Sequence, residues 1–321
     1  LQLLIESQPR YGADKHLLGH YAGDKLYEEQ GLAGMRVWTP DLWYPCAHSI
    51  VIGAFIEQGM SVFDTINDIC ETVPGPNGYY MCFHGFGHGV AAFAQYEVPD
   101  AMELCQKVGT QKYSGQEAIE CAGGVIMDLR DGLHDRELWE AYGRKYIPGG
   151  NPAKLCAAEY IPVEFKDICY IYITPFLFDY IGVNNIPTDA EIDRAMTLCE
   201  EVPLEQRWAC YEGFPKELIS FLHGRDITAF METTDEQFRK LYEWCTYADS
   251  EVGKATCLDA SVDAIDRGGT WPYQLAARYC SLIPEPDHQN FCYDRLIQIR
   301  WRANIQIREN EGLCTSIPRR Y

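Results

Sequence analysis

Apolar residues run through this chain in bursts of helical length, and cysteines punctuate the bursts in two alternating roles. The first role falls to Cys70, Cys105, Cys156, Cys199, Cys245, Cys280 and Cys314, each directly behind a large apolar residue: Ile69, Leu104, Leu155, Leu198, Trp244, Tyr279 and Leu313. The second falls to Cys46, Cys82, Cys121, Cys169, Cys210, Cys257 and Cys292, each opening a new apolar stretch. In five of these seven a small residue stands three places on (Ser49, Gly85, Gly124, Gly213 and Ala260), while Tyr172 and Arg295 hold that place in the other two. The pattern predicts helices that end at first-role cysteines and start at second-role ones, with the small residue admitting a neighbouring helix. Polar or Pro/Gly-bearing segments such as 73–78 and 284–287 lie between them and read as loops. There is little alternation of period two, so the fold class is all-α.

Second-role cysteines recur every 35 to 48 residues, the length of a helix-turn-helix unit. The chain reads as a single domain over 1–321, with His-rich N-terminal hairpins over 1–96 and stapled repeats over 97–321. An array of about seven helical hairpins is expected, an α/α solenoid, with a closed α/α toroid as the alternative. Local signals agree. Thr188-Asp-Ala-Glu191 and Thr233-Thr-Asp-Glu236 have the form of capping boxes, and Pro272 suits a first turn. Gly31, Gly59, Gly224, Gly268 and Gly312 stand where helices should stop, and Pro175 and Pro215 should break the apolar stretches that contain them.

Pairing each first-role cysteine with the next second-role one gives six loops of 11 to 16 residues: 70 with 82, 105 with 121, 156 with 169, 199 with 210, 245 with 257, and 280 with 292. Closing a loop of this size stabilises by roughly 3 kcal/mol in the chain-entropy model. Regular stapling makes sense only where thiols oxidise, so the expected setting is extracytoplasmic, periplasmic or secreted. Zinc clusters of paired cysteines are not indicated, because the chain has no Cys-x-x-Cys. Cys46 and Cys314 are left over, and an open array would leave both unbonded. The first residues carry no charged n-region and no cleavage site, as if a signal peptide had been removed or never present. The richest apolar stretch, 169–183, is interrupted by Pro175 and Asp179, so no transmembrane segment is expected.

A formal charge of -20 and a pI near 4.7 argue against nucleic acid or an anionic membrane surface as partner. The end of the chain runs the other way, with Arg295, Arg300, Arg302, Arg308, Arg319 and Arg320 against Asp294, Glu309 and Glu311. A solvated helix face is the expected role of these arginines, ahead of docking on an acidic partner. The acidic pairs and triplets, Asp189 with Glu191 and Asp259 with Asp263 and Asp266, read likewise as solvated faces.

The stapled hairpins resemble the cysteine-rich Sel1-like and tetratricopeptide families over roughly residues 60 to 300. That resemblance implies a protein partner bound along the repeat surface. On Cys82, His84 and Gly85 the chain is also similar to seven-hairpin α/α toroids of the lanthionine cyclase type, which carry a His-Gly in a zinc site. His16 with His20, Cys46 with His48, and Cys82 with His84 and His88 together resemble exported bacterial proteins of unassigned function.

Histidine placement carries the candidate chemistry. Five of the eight histidines precede residue 89, and His16 with His20 and His84 with His88 are each four apart, on one helix face. His48 follows Cys46 by the same two places that separate His84 from Cys82, so hairpins stacked in register would bring these imidazoles together. Gly85, Gly87 and Gly89 weaken a helix by roughly 0.5–1 kcal/mol each, which points to a close backbone approach. The set His84, His88, His16, His20 and His48 suits Zn, with Cu or Fe as alternatives. Glu57, nine residues past His48, faces away from it. His134, His223 and His288 read as structural. No Gly-x-Ser-x-Gly, Walker loop or Cys-x-x-Cys-His is present. The expected function is an extracytoplasmic helical-repeat protein with a histidine-built transition-metal site in its N-terminal hairpins. The alternative is a metal-free binding or assembly subunit of a larger extracellular or membrane-associated complex, its histidines structural.

Overall fold

All six expected cysteine pairs lie at bonding distance, with Cα atoms 5.4 to 5.8 Å apart. The computed structural model describes residues 15–36, 45–73, 78–110, 115–132, 136–183, 186–224, 227–266 and 273–302. Cys314, Gly268, Gly312, Pro272, His134, the side chain of His16 and the arginines from 302 onward lie outside what is described. Among the described residues there are helices and turns and no strand, so the all-α expectation holds. Two compact units result, Leu1–Tyr172 and Ile173–Tyr321. The expected subdivision after residue 96 falls inside the first of them.

In the first unit the helices are α1 (Lys15–Gln30), α2 (Pro45–Gln58), α3 (Phe63–Cys70), α4 (Gly78–Phe93), α5 (Val98–Cys105), α6 (Gln116–Asp131) and α7 (Lys166–Tyr172). First-role cysteines close α3 and α5 as expected, but second-role ones sit about a turn inside α4, α6 and α7 rather than at their starts. The reason is burial: the opening turn of each helix is still partly in solvent, and the apolar pattern begins only where the helix enters the core. Gly31 and Gly59 end their helices at φ 58° and 57°, a left-handed turn that glycine adopts without strain.

Five helices carry this unit, α1 against α2, α2 against α4, α4 against α6 and α6 against α7. They meet through glycines. A Cβ on Gly23 would lie 2.3 Å from the Cys46 carbonyl oxygen, one on Gly85 2.9 Å from the His48 Cα, and one on Gly87 2.0 Å from the Cys121 oxygen. From the other side, a Cβ on Gly124 would lie 2.0 Å from the His84 oxygen. Backbones touch where these glycines lie, so three of the residues found three places past a cysteine (Ser49, Gly85 and Gly124) do admit a neighbour. Beside the contact, Phe86 packs edge to face with Phe55 and with Phe63, centroids 4.9 and 5.0 Å apart. Each edge-to-face pair adds about 0.5–1.5 kcal/mol beyond its buried area. Between α5 and α6, the buried carboxylate of Glu117 accepts hydrogen bonds from the Tyr79 hydroxyl and from the Thr110 amide and hydroxyl, and so closes the Cys105–Cys121 loop.

Among the described residues only one stretch, Cys46–Cys70, is long and apolar enough to cross a membrane by length and composition alone, so there is no clear transmembrane segment. Half of its most apolar window is buried inside the fold, and the positive φ of Gly59 interrupts it.

The second unit comprises α8 (Thr174–Tyr180), α9 (Asp189–Thr197), α10 (Arg207–Glu212), α11 (Phe214–Leu222), α12 (Asp235–Cys245), α13 (Glu251–Asp266), α14 (Tyr273–Ser281) and α15 (Pro286–Arg302). Pro175 and Pro215 sit in the first turns of α8 and α11 and break the apolar stretches as expected. Thr188 and Glu191 form the expected capping box of α9. The second box is displaced by one residue: Thr234 caps α12 with Gln237, because the Thr233 hydroxyl donates to the Phe230 carbonyl instead.

Two expectations about charge are corrected here. Asp266 is fully buried against Arg300, itself only 5% exposed, and Asp259 pairs with Arg295 at 2.9 Å. The acidic face of α13 therefore meets α15, and Asp266 and Arg300 are not solvated, while Asp259 and Arg295 stay part-exposed and Asp263 is exposed. Asp189 is exposed, as expected, and accepts from the Lys240 ammonium and the Trp244 indole; the Lys240 bond holds its carboxyl below the usual range.

Candidate functional site

Geometry on α4 dictates where its imidazoles go. At about 100° per residue, Gly85 and Gly89 face one way and Gly87 nearly the opposite way, and His84 and His88 point between them. Gly85 and Gly89 rest on α2 and Gly87 on α6. The two histidines are thus aimed into the groove between α2 and α6. From α2 comes His48, and from α6 comes Asp128, one turn past Gly124 on the face turned to α4.

The result is a buried cluster. Ring centroids of His48 and His84 are 5.5 Å apart, His48 and His88 5.4 Å, and His84 and His88 5.1 Å. These three are 4%, 1% and 2% exposed. His20 of α1 lies 6.0 Å from His48, half-buried, with its Nδ1 3.0 Å from the Ser49 hydroxyl. The Asp128 carboxylate, with no solvent exposure, lies 3.2 Å from His88 Nδ1, which holds that ring. On the far side Tyr172 stacks on His84 at 4.9 Å. It reaches that ring by lying over Gly123, where a Cβ would come within 2.8 Å of it. Burial holds the Tyr172 phenol neutral, its pKa well above the ordinary value, and the charge of Glu120 adds to the effect.

Of the five histidines expected to converge, four do so, and the side chain of the fifth, His16, lies outside the described residues. Glu57 is turned away, as expected, and accepts from the Tyr27 hydroxyl. His223 ends α11 beside Thr233, and His288 contacts Tyr242. Asp128, Tyr172 and Ser49 belong to the site without having been assigned to it from sequence. A carboxylate inside the apolar run Val125-Ile-Met-Asp-Leu129 was the available sign for the first, and Tyr172 was already an exception to the small-residue rule.

As they stand, no group of three or more His, Cys, Asp or Glu side chains among the described residues is arranged to hold a metal ion. Cys46, a free thiol among the described residues, adds no thiolate. Burial raises its pKa to about 11, with the charge of Asp24 a smaller cause.

No protein-family model matches the chain, and neither a curated protein nor a solved structure is significantly similar to it.

Proposed function

We propose that the first unit binds a transition-metal ion on His48, His84 and His88. One observation carries the reading: three buried imidazoles with mutual centroid separations of 5.1 to 5.5 Å. Metal–nitrogen bonds of about 2.0–2.1 Å put each ring centroid about 3.2 Å from the ion, and tetrahedral angles then separate centroids by about 5.2 Å. The spacing suits coordination although the donor nitrogens do not yet converge. Turning a ring about its Cβ–Cγ bond, a soft torsion, re-aims a nitrogen while the backbone stays in place. His88 has the carboxylate partner that orients a metal-bound imidazole. Zn suits such a set, and Cu or Fe would accept it. The six cysteine pairs are compatible with an oxidising setting, which supports an extracytoplasmic protein.

Metal content of the protein isolated from its natural source tests this. The unaltered protein should carry about one equivalent and the His84→Ala, His88→Ala double variant none, with the helical content of both unchanged. A metal-free natural protein would favour the other reading, a binding or assembly subunit. For that reading the support is the exposure of Ile297 and Trp301, one turn apart on α15.

A further inference from the structure

We infer that His20 is the capture ligand through which a metal ion reaches the buried site, an inference that rests on the metal reading above. His48, His84 and His88 are at most 4% exposed, and a hydrated cation cannot shed its whole water shell before meeting its first protein ligand. It needs an imidazole at the surface within a short step of the interior. His20 alone among the four is half-buried, and its ring lies 6.0 Å from that of His48.

Register supports the same route. His48 of α2 packs at Gly85 of α4, and the His84 backbone carbonyl of α4 packs at Gly124 of α6. His20 meets Ser49, which holds in α2 the place that Gly85 and Gly124 hold in theirs, three residues past a cysteine. The rings on α1, α2 and α4 thus form a row, His20 to His48 at 6.0 Å and His48 to His84 at 5.5 Å, that runs from half-buried His20 to the interior. The first position differs in having a hydroxyl where the other two have glycine. That hydroxyl bonds His20 Nδ1, which fixes the ring and gives the coordinating role to Nε2. His20 acts on the path and the three buried imidazoles form the destination.

Uptake of Co²⁺ by the full disulfide-bonded chain, followed by stopped-flow absorbance of its d–d bands, tests this with His20→Ala, His20→Gln and Ser49→Ala. Both His20 variants should bind the same stoichiometry with the same final spectrum as the unaltered protein, while uptake and chelator-driven release both slow by roughly tenfold or more. Ser49→Ala, which keeps the imidazole but removes its anchor, should slow them less. Unchanged rates in the His20 variants would overturn the inference, and so would a changed final spectrum or stoichiometry, which would make His20 a resident ligand. If the unaltered protein takes up no Co²⁺, the metal reading itself fails and this inference goes with it.

Discussion

The two units share one device and differ in what they bury with it. Both clip the end of a helix to the body of the next with a disulfide across 11 to 16 residues. In the first, α2, α4 and α6 are brought backbone to backbone by glycines, and the polar groups left inside include three imidazoles and a carboxylate. In the second, the described histidines are only half-buried, and the buried charge is the Asp266–Arg300 pair, satisfied within the protein. The clip therefore does not require imidazoles or glycine contacts. Buried imidazoles and backbone contacts through glycine are found, among the described residues, in the first unit, where each glycine costs helix stability of about 0.5–1 kcal/mol, and a groove lined with nitrogen donors is what that cost yields.

Substitutions can break this contrast, beginning with the largest effect. In the second unit Asp266→Ala leaves a buried guanidinium without its counter-charge and should destabilise by about 3–5 kcal/mol. Denaturant unfolding followed by circular dichroism measures it. A cost below about 1 kcal/mol would show that the pair is not desolvated as described. In the first unit Gly124→Ala should cost about 3 kcal/mol or more, because its Cβ would stand 2.0 Å from a backbone oxygen that cannot yield alone. The matched change Gly253→Ala in α13 meets side-chain atoms, the Tyr211 ring at 2.8 Å and the Ala248 Cβ at 3.0 Å, rather than a backbone oxygen, and should cost less, about 1–2 kcal/mol. Equal costs at the two positions would erase the distinction between the units.

The clip was legible in the chain and the groove only partly so. Disulfides recur at fixed places relative to apolar bursts, so the pattern of Ile69-Cys70 and its successors reported all six pairs. His48 and His84 could be aligned because each follows a cysteine by two places. Asp128 and Tyr172 could not, since they reach the histidines from α6 and α7 at sequence distances of 40 and 88 residues, and only packing sets those contacts. Asp266 and Arg300 were misread for a related reason. Charges of opposite sign on two helix faces look solvated until the faces are known to meet.

The smallest effect concerns Cys46. Its folded pKa is raised from 9.0 to about 11, so its contribution to stability is complete below the unfolded value and is lost as pH rises through that interval. Cys46→Ser should therefore lessen the fall in stability between pH 9 and 11, read from thermal unfolding at each pH. At pH 8 the native thiol should alkylate about a hundredfold more slowly than a free cysteine, and alkylation at the free-thiol rate would show that it is not shielded.

X-ray absorption on the zinc-loaded protein tests the central claim most directly, because it counts the atoms around the ion. The predicted spectrum has nitrogen or oxygen neighbours at about 2.0–2.1 Å with imidazole outer-shell scattering and no sulfur near 2.3 Å, and it disappears in the His84→Ala, His88→Ala variant. Sulfur in the shell, or no stoichiometric zinc to measure, would contradict a site built from His48, His84 and His88.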